Sequence, residues 1–186
     1  MKQLKVLAIF YIALLGIVGC QANRPEYPAV EVNLDGNGKF PEFLVGRWKA
    51  NESNWEFIFE PDGTISSSVI DLGRVKMIPG KTTRLKTRSR GKAEYQPGQW
   101  IVNYSPETRD LTVEVVITYF YQNLGKYAAE GDSVDILAGH VSEDGKIWWV
   151  DWFSSGKLIA LLDKPKKLHD ISEPMFRKSL FFEKVE

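Results

Sequence analysis

The chain is short of the residues on which much enzyme chemistry depends. It has one cysteine, Cys20, and two histidines, His140 and His169. A single cysteine rules out an intrachain disulfide, and two histidines give no basis for a histidine-rich zinc site. No Gly-x-Ser-x-Gly nucleophile elbow is present. Excess charge is missing too: 24 basic side chains balance 24 acidic ones, which argues against a dedicated nucleic-acid binder. Aromatics and turn-forming residues are plentiful, a composition that suits strands and hairpins rather than helices.

The N-terminus has its own pattern. Lys2 and Lys5 precede an unbroken apolar run from Val6 to Val18, and small residues then lead to Cys20. This is the layout of a secretory signal. At about 1.5 Å per residue the run covers roughly 20 Å, short of the roughly 30 Å of hydrocarbon that a spanning helix must cross. The sequence Ile17-Val18-Gly19-Cys20 resembles the bacterial lipobox. The resemblance implies cleavage before Cys20 and attachment of diacylglycerol to its sulfur, making the protein a lipoprotein with no free thiol for Cys–His catalysis. It also implies a cell-envelope location. Gln21 is not the aspartate that commonly retains lipoproteins in the inner membrane. The expectation is therefore the outer membrane, facing the periplasm, in a cell with two membranes, and the cell membrane otherwise.

The expected organisation is a signal peptide at 1–19, a lipidated flexible tether at 20–40 and a single domain at 41–186. Pro25, Pro28, Gly36 and Gly38 give the tether its turn-rich character. Asn33, Asp35, Asn37 and Gly38 imitate the first half of a calcium loop, but Leu44 stands where the closing glutamate belongs, so no metal is expected.

Within the domain, Trp55, Phe57 and Phe59 alternate with polar residues, and Pro61-Asp62-Gly63 turns the chain into a partner strand at Thr64–Asp71. Leu111, Val113, Val115, Ile117, Tyr119 and Tyr121 mark a strand long enough to need a bulge or bend. A second hairpin is expected around Asp144-Gly145, with a further short strand at Leu158–Leu162. Ser172, Glu173 and Pro174 allow one short helix near the C-terminus before a last strand. The fold expected is all-β: an antiparallel up-and-down barrel of eight to ten strands, with a two-sheet sandwich as the alternative. Gly46-x-Trp48 at the head of this meander resembles the calycin group, which includes the lipocalins. That resemblance implies a tryptophan closing one end of a barrel under a C-terminal arginine, for which Arg177 is the counterpart here.

Between Asp71 and Glu94 there is no acidic residue, while Arg84, Lys86, Arg88, Arg90 and Lys92 alternate strictly. An extended backbone puts these five cations on one face. They form either a solvated hairpin or a contact for an anionic surface, an envelope protein or an anionic polymer.

No catalytic set emerges, and an enzyme is not expected. His140 shares a face with Val134, Ile136 and Ala138, and Asp151, between Trp149 and Phe153, is a candidate buried carboxylate. Paired carboxylates for glycoside hydrolysis depend on a spatial separation that sequence does not give. Two functions stay open. In the first, the barrel binds a small apolar or amphipathic ligand, with Trp100, Tyr119, His140, Trp149 and Phe153 as candidate contacts and no cofactor. In the second, a filled barrel docks a partner through its basic ribbon.

Overall fold

The computed structural model describes residues 28–36, 38–87, 91–123, 128–161 and 167–185, with backbone alone at 160–161 and 167–175. Cys20 and the signal segment lie outside the described residues, as do Arg88 and Arg90. Among the described residues no helix is long and apolar enough to cross a membrane.

The fold is all-β. Among the described residues twelve strands follow one another: β1 (Val30–Leu34), β2 (Gly46–Ala50), β3 (Glu56–Phe59), β4 (Ile65–Ile70), β5 (Val75–Met77), β6 (Thr83–Lys86), β7 (Lys92–Pro97), β8 (Trp100–Ser105), β9 (Asp110–Asn123), β10 (Ala128–His140), β11 (Ile147–Leu161) and β12 (Lys167–Val185). They make one mixed sheet in the order β1-β8-β9-β10-β11-β12-β2-β3-β4-β5. The far half of β9 pairs instead with β7, which carries β6 at its other edge. All neighbours are antiparallel except β1, which lies parallel to β8. The seam between β12 and β2 joins the two ends of the domain, with Phe182 opposite Ala50 and Lys184 opposite Trp48.

The hairpin turns work as their sequences dictate. Gly63 and Gly145 both adopt positive φ, 84° and 69°. Asp62 Oδ1 accepts from Thr64 N at 2.9 Å and from its hydroxyl at 2.6 Å, while Asp144 Oδ1 accepts from the Ser142 hydroxyl at 2.6 Å. These donors hold both carboxyls below their usual range.

The ladder does not close on itself, but side chains from its two arms meet. Phe40, in the segment between β1 and β2, lies 5.9 Å from the ring of Phe59 on β3 and 6.4 Å from that of Tyr104 on β8. A Cβ placed on Gly63 would strike Phe40 and Val32, and one on Gly80 would strike Ala29. The sheet therefore rolls around a single apolar core.

One end of that core is packed shut. Phe57 sits among Trp55, Phe59, Trp148 and Phe182, all within 6.3 Å between ring centroids, and Trp148 stacks on Phe182 at 4.8 Å. Phe43 covers this end, against Tyr104 and Gly145. The Arg109 guanidinium lies 4.4 Å from the Phe43 ring centroid and donates to the carbonyls of Val141 and Ser142 at 3.2 and 2.6 Å. Trp48 is fully buried and donates its Nε1 to the Leu44 carbonyl at 2.8 Å. Arg109 therefore lies at this end, whereas Arg177 sits on the outer face over Phe153.

Several sequence expectations change here. Among the described residues there are twelve strands rather than eight to ten, because segments read as tether and basic ribbon supply β1, β5 and β6. Val30–Leu34, which falls in the stretch expected as a flexible tether at 20–40, is a strand paired with β8, and residues 20–27 lie outside the described residues. The short helix expected near Ser172 is a strand. β12 pairs with β11 on both sides of a register shift, the partners stepping from Phe176 opposite Ser154 to Ile171 opposite Gly156. Pro174, which has no N–H to give a ladder, falls in that interruption. Of the strand expected at Leu158–Leu162, the part to Leu161 is the continuation of β11 through the same irregularity, and Leu162 lies outside the described residues.

Candidate functional site

The other end of the core opens into a cavity of about 380 Å³. Its position follows from how side-chain size changes along three strands. The inner row of β10 runs from Leu137 to Asp135 and Ser133, that of β11 from Trp148 through Trp152 to Ser154, and that of β12 from Phe182 to Lys178 and Phe176. Large apolar groups fill one end, and small or polar groups leave space at the other. β9 contributes Phe120 through a bulge: Ile117 faces Ser133 but Phe120 faces Gly131, so the inner row steps from Ile117 to Phe120.

Asp135 forms the floor. It is 5% exposed and stands directly opposite Ser154 on the ladder. Trp152 Nε1 donates to its Oδ1 at 3.0 Å and the Ser133 hydroxyl to its Oδ2 at 3.4 Å, and the Ser154 hydroxyl is a third donor. Burial pushes the Asp135 carboxyl above its usual range, and the nearby Asp71 adds to the push, while the three donors oppose it. Among the described residues, no ion pair includes Asp135. Asp71, also lining the cavity, accepts from both the backbone N and the side-chain Nδ2 of Asn54, each at 2.9 Å.

The walls are apolar. Trp152 and Phe176 meet edge to face at 4.9 Å, with Phe120 and Leu158 alongside. Lys178 at the rim is engaged by Glu52, at 3.3 Å to its carboxylate and 3.1 Å to its carbonyl. Among the described residues, no three His, Cys, Asp or Glu side chains converge as a metal site.

None of the five residues expected to contact a ligand lines this cavity. Trp100 is fully buried in the core, its Nε1 donating to the Val116 carbonyl at 3.1 Å. Tyr119 is turned to the outer face by the β9 bulge. His140 is exposed, with Nδ1 3.5 Å from Asp110. Trp149 is 51% exposed. Phe153 lies outside under the Arg177 guanidinium, 5.1 Å away. Asp151 is likewise on the outer face, held below the usual carboxylate range by the Ser179 hydroxyl at 2.6 Å and by Arg177.

The reason is parity. On β10 the row Val134, Ile136, Ala138 is the more apolar, and the ordinary rule puts it inside. Here that row faces out, with Ile136 at 37% exposure, because the row carrying Ser133 and Asp135 lines a cavity. A usable signal was present. The Asp144-Gly145 turn fixes the register of β10 on β11, which places Asp135 opposite Ser154 and Leu137 opposite Trp152.

The basic stretch forms the β6–β7 edge. Arg84 pairs in bidentate fashion with Glu94, at 2.9 and 3.1 Å. Lys86 stands directly across from Lys92, both exposed. Comparison with protein families, curated proteins and solved structures gives no match for this chain.

Proposed function

We propose that the protein is a membrane-anchored cell-envelope lipoprotein, tethered through Cys20, whose rolled sheet acts as an open lipocalin-like barrel and binds a small amphipathic ligand. The observation that carries the binding reading is the cavity of about 380 Å³, walled by Phe120, Trp152, Leu158 and Phe176 over a polar floor. Its size falls within the range of roughly 300–1,000 Å³ typical of small-molecule sites, as does its pattern of apolar walls with a few convergent polar groups. A tether before Val30 would hold this cavity near the membrane, where amphipathic molecules concentrate.

The test is organic extraction of the purified chain followed by mass spectrometry, with tryptophan emission followed on re-addition of the extract. A copurifying amphipathic molecule that changes the emission of the wild type but not of Trp152→Phe is the expected result. An empty extract, together with no emission response to added amphiphiles, would remove the reading.

The directly opposed Lys86 and Lys92 favour a second reading, in which the β6–β7 edge meets an anionic surface, since like charges across a ladder are destabilising unless something neutralises them.

A further inference from the structure

We infer that the ligand carries a cationic amine, held by Asp135 on the cavity floor, with its apolar body against Phe120, Trp152, Leu158 and Phe176. This rests on the cavity being a binding site and specifies what it takes.

The argument starts from the cost of the carboxylate. A charged group taken out of water is ordinarily paired with an opposite charge, and a buried ionised carboxylate without one is among the more expensive features a fold can carry. Asp135 is 5% exposed, and its three hydrogen-bond donors, Trp152 Nε1 and the Ser133 and Ser154 hydroxyls, are all neutral. An asparagine or serine would satisfy the same indole N–H at lower desolvation cost. Internal satisfaction therefore does not account for a carboxylate at this position, whereas a cation arriving in the cavity does.

Charge around the cavity agrees. Among the described residues, Glu52, Asp71, Asp132 and Asp135 line it against Lys157 and Lys178, and Lys178 is already committed to Glu52. An anionic head group would approach Asp71 and Asp135 together. An ammonium would be drawn inward by both. The walls set the rest of the ligand: there is apolar surface for a short alkyl or aryl body, and the cavity volume limits the ligand to a small one.

Calorimetric titration of the full chain with octylammonium chloride, octan-1-ol and sodium octanoate tests the inference. Octylammonium should bind tightest, and Asp135→Asn should weaken it by about tenfold or more, the worth of a charge-assisted hydrogen bond, while octanol changes little. Asp135→Asn keeps an acceptor for Trp152 Nε1, and circular dichroism checks its fold. Leu158→Lys gives an independent arm, since a cation at the mouth should weaken octylammonium and strengthen octanoate. If octanoate or octanol binds the wild type as well as octylammonium does, or if neither substitution alters the order, the cationic ligand is overturned and the cavity reading survives. If none of the three probes binds, both are overturned.

Discussion

Leu137, Trp148 and Phe182 occupy one end of the inner rows of β10, β11 and β12, and Asp135, Ser154 and Lys178 occupy the other. The same three strands run through both ends, but the ladders shift register at Gly131/Ser133 and Ser154/Gly156, toward the cavity. Side-chain size changes in the same direction, and the result is a filled aromatic core at one end and an open, polar-floored cavity at the other. A continuous sheet thus divides its interior into a packed part that stabilises the fold and a part that stays open. The open end also carries a stability penalty, because it buries a carboxyl that no cation pairs with among the described residues.

The contrast can be broken most forcefully at the packed end. Trp148 is fully buried and stacked on Phe182, so Trp148→Ala should cost about 3–5 kcal/mol, read as a lowered urea midpoint. A small loss would mean that the packed end is as loose as the open one.

At the cavity end the sign reverses. Asp135 titrates higher in the folded chain than in the unfolded one, mainly through burial. The folded state therefore binds its proton more tightly. That contribution is fully present below the unfolded carboxyl range and is lost as pH rises through the folded pKa. Asp135→Asn should accordingly raise the melting temperature at neutral pH, with the gain shrinking toward about pH 3. A melting temperature lowered at neutral pH would show that the carboxylate stabilises the fold and is not held there at a cost.

The smallest effect is expected outside. Arg177 and Asp151 are both well exposed, so Arg177→Ala should leave the midpoint unchanged within error and should not alter binding in the cavity. A clear loss would extend the stabilising region beyond the packed interior.

Much of the strand framework was legible. The alternation of Trp55, Phe57 and Phe59 gave both a strand and its buried face, and Pro61-Asp62-Gly63 and Asp144-Gly145 gave two turns in their observed places. Legibility failed where neighbours decide. Ser172 and Pro174 carry local helix-start signals, but pairing with β11 on either side of them prevails. Val30–Leu34 was masked by surrounding turn residues and becomes a strand only because β8 offers an edge. The lining of the cavity was not legible for a related reason. Apolar-in patterning points away from any row that lines a polar cavity, so His140, Trp149 and Phe153 were favoured and Asp135 was passed over.

The sequence by itself determined the all-β class, the principal turns and the register of β10 on β11, since these depend on local φ preferences and a two-residue period. Only the tertiary structure decided which face of β10 is the inside. Parity depends on bulges in β9 and β12 and on what stands across the interior, and neither is encoded within the strand whose face it sets.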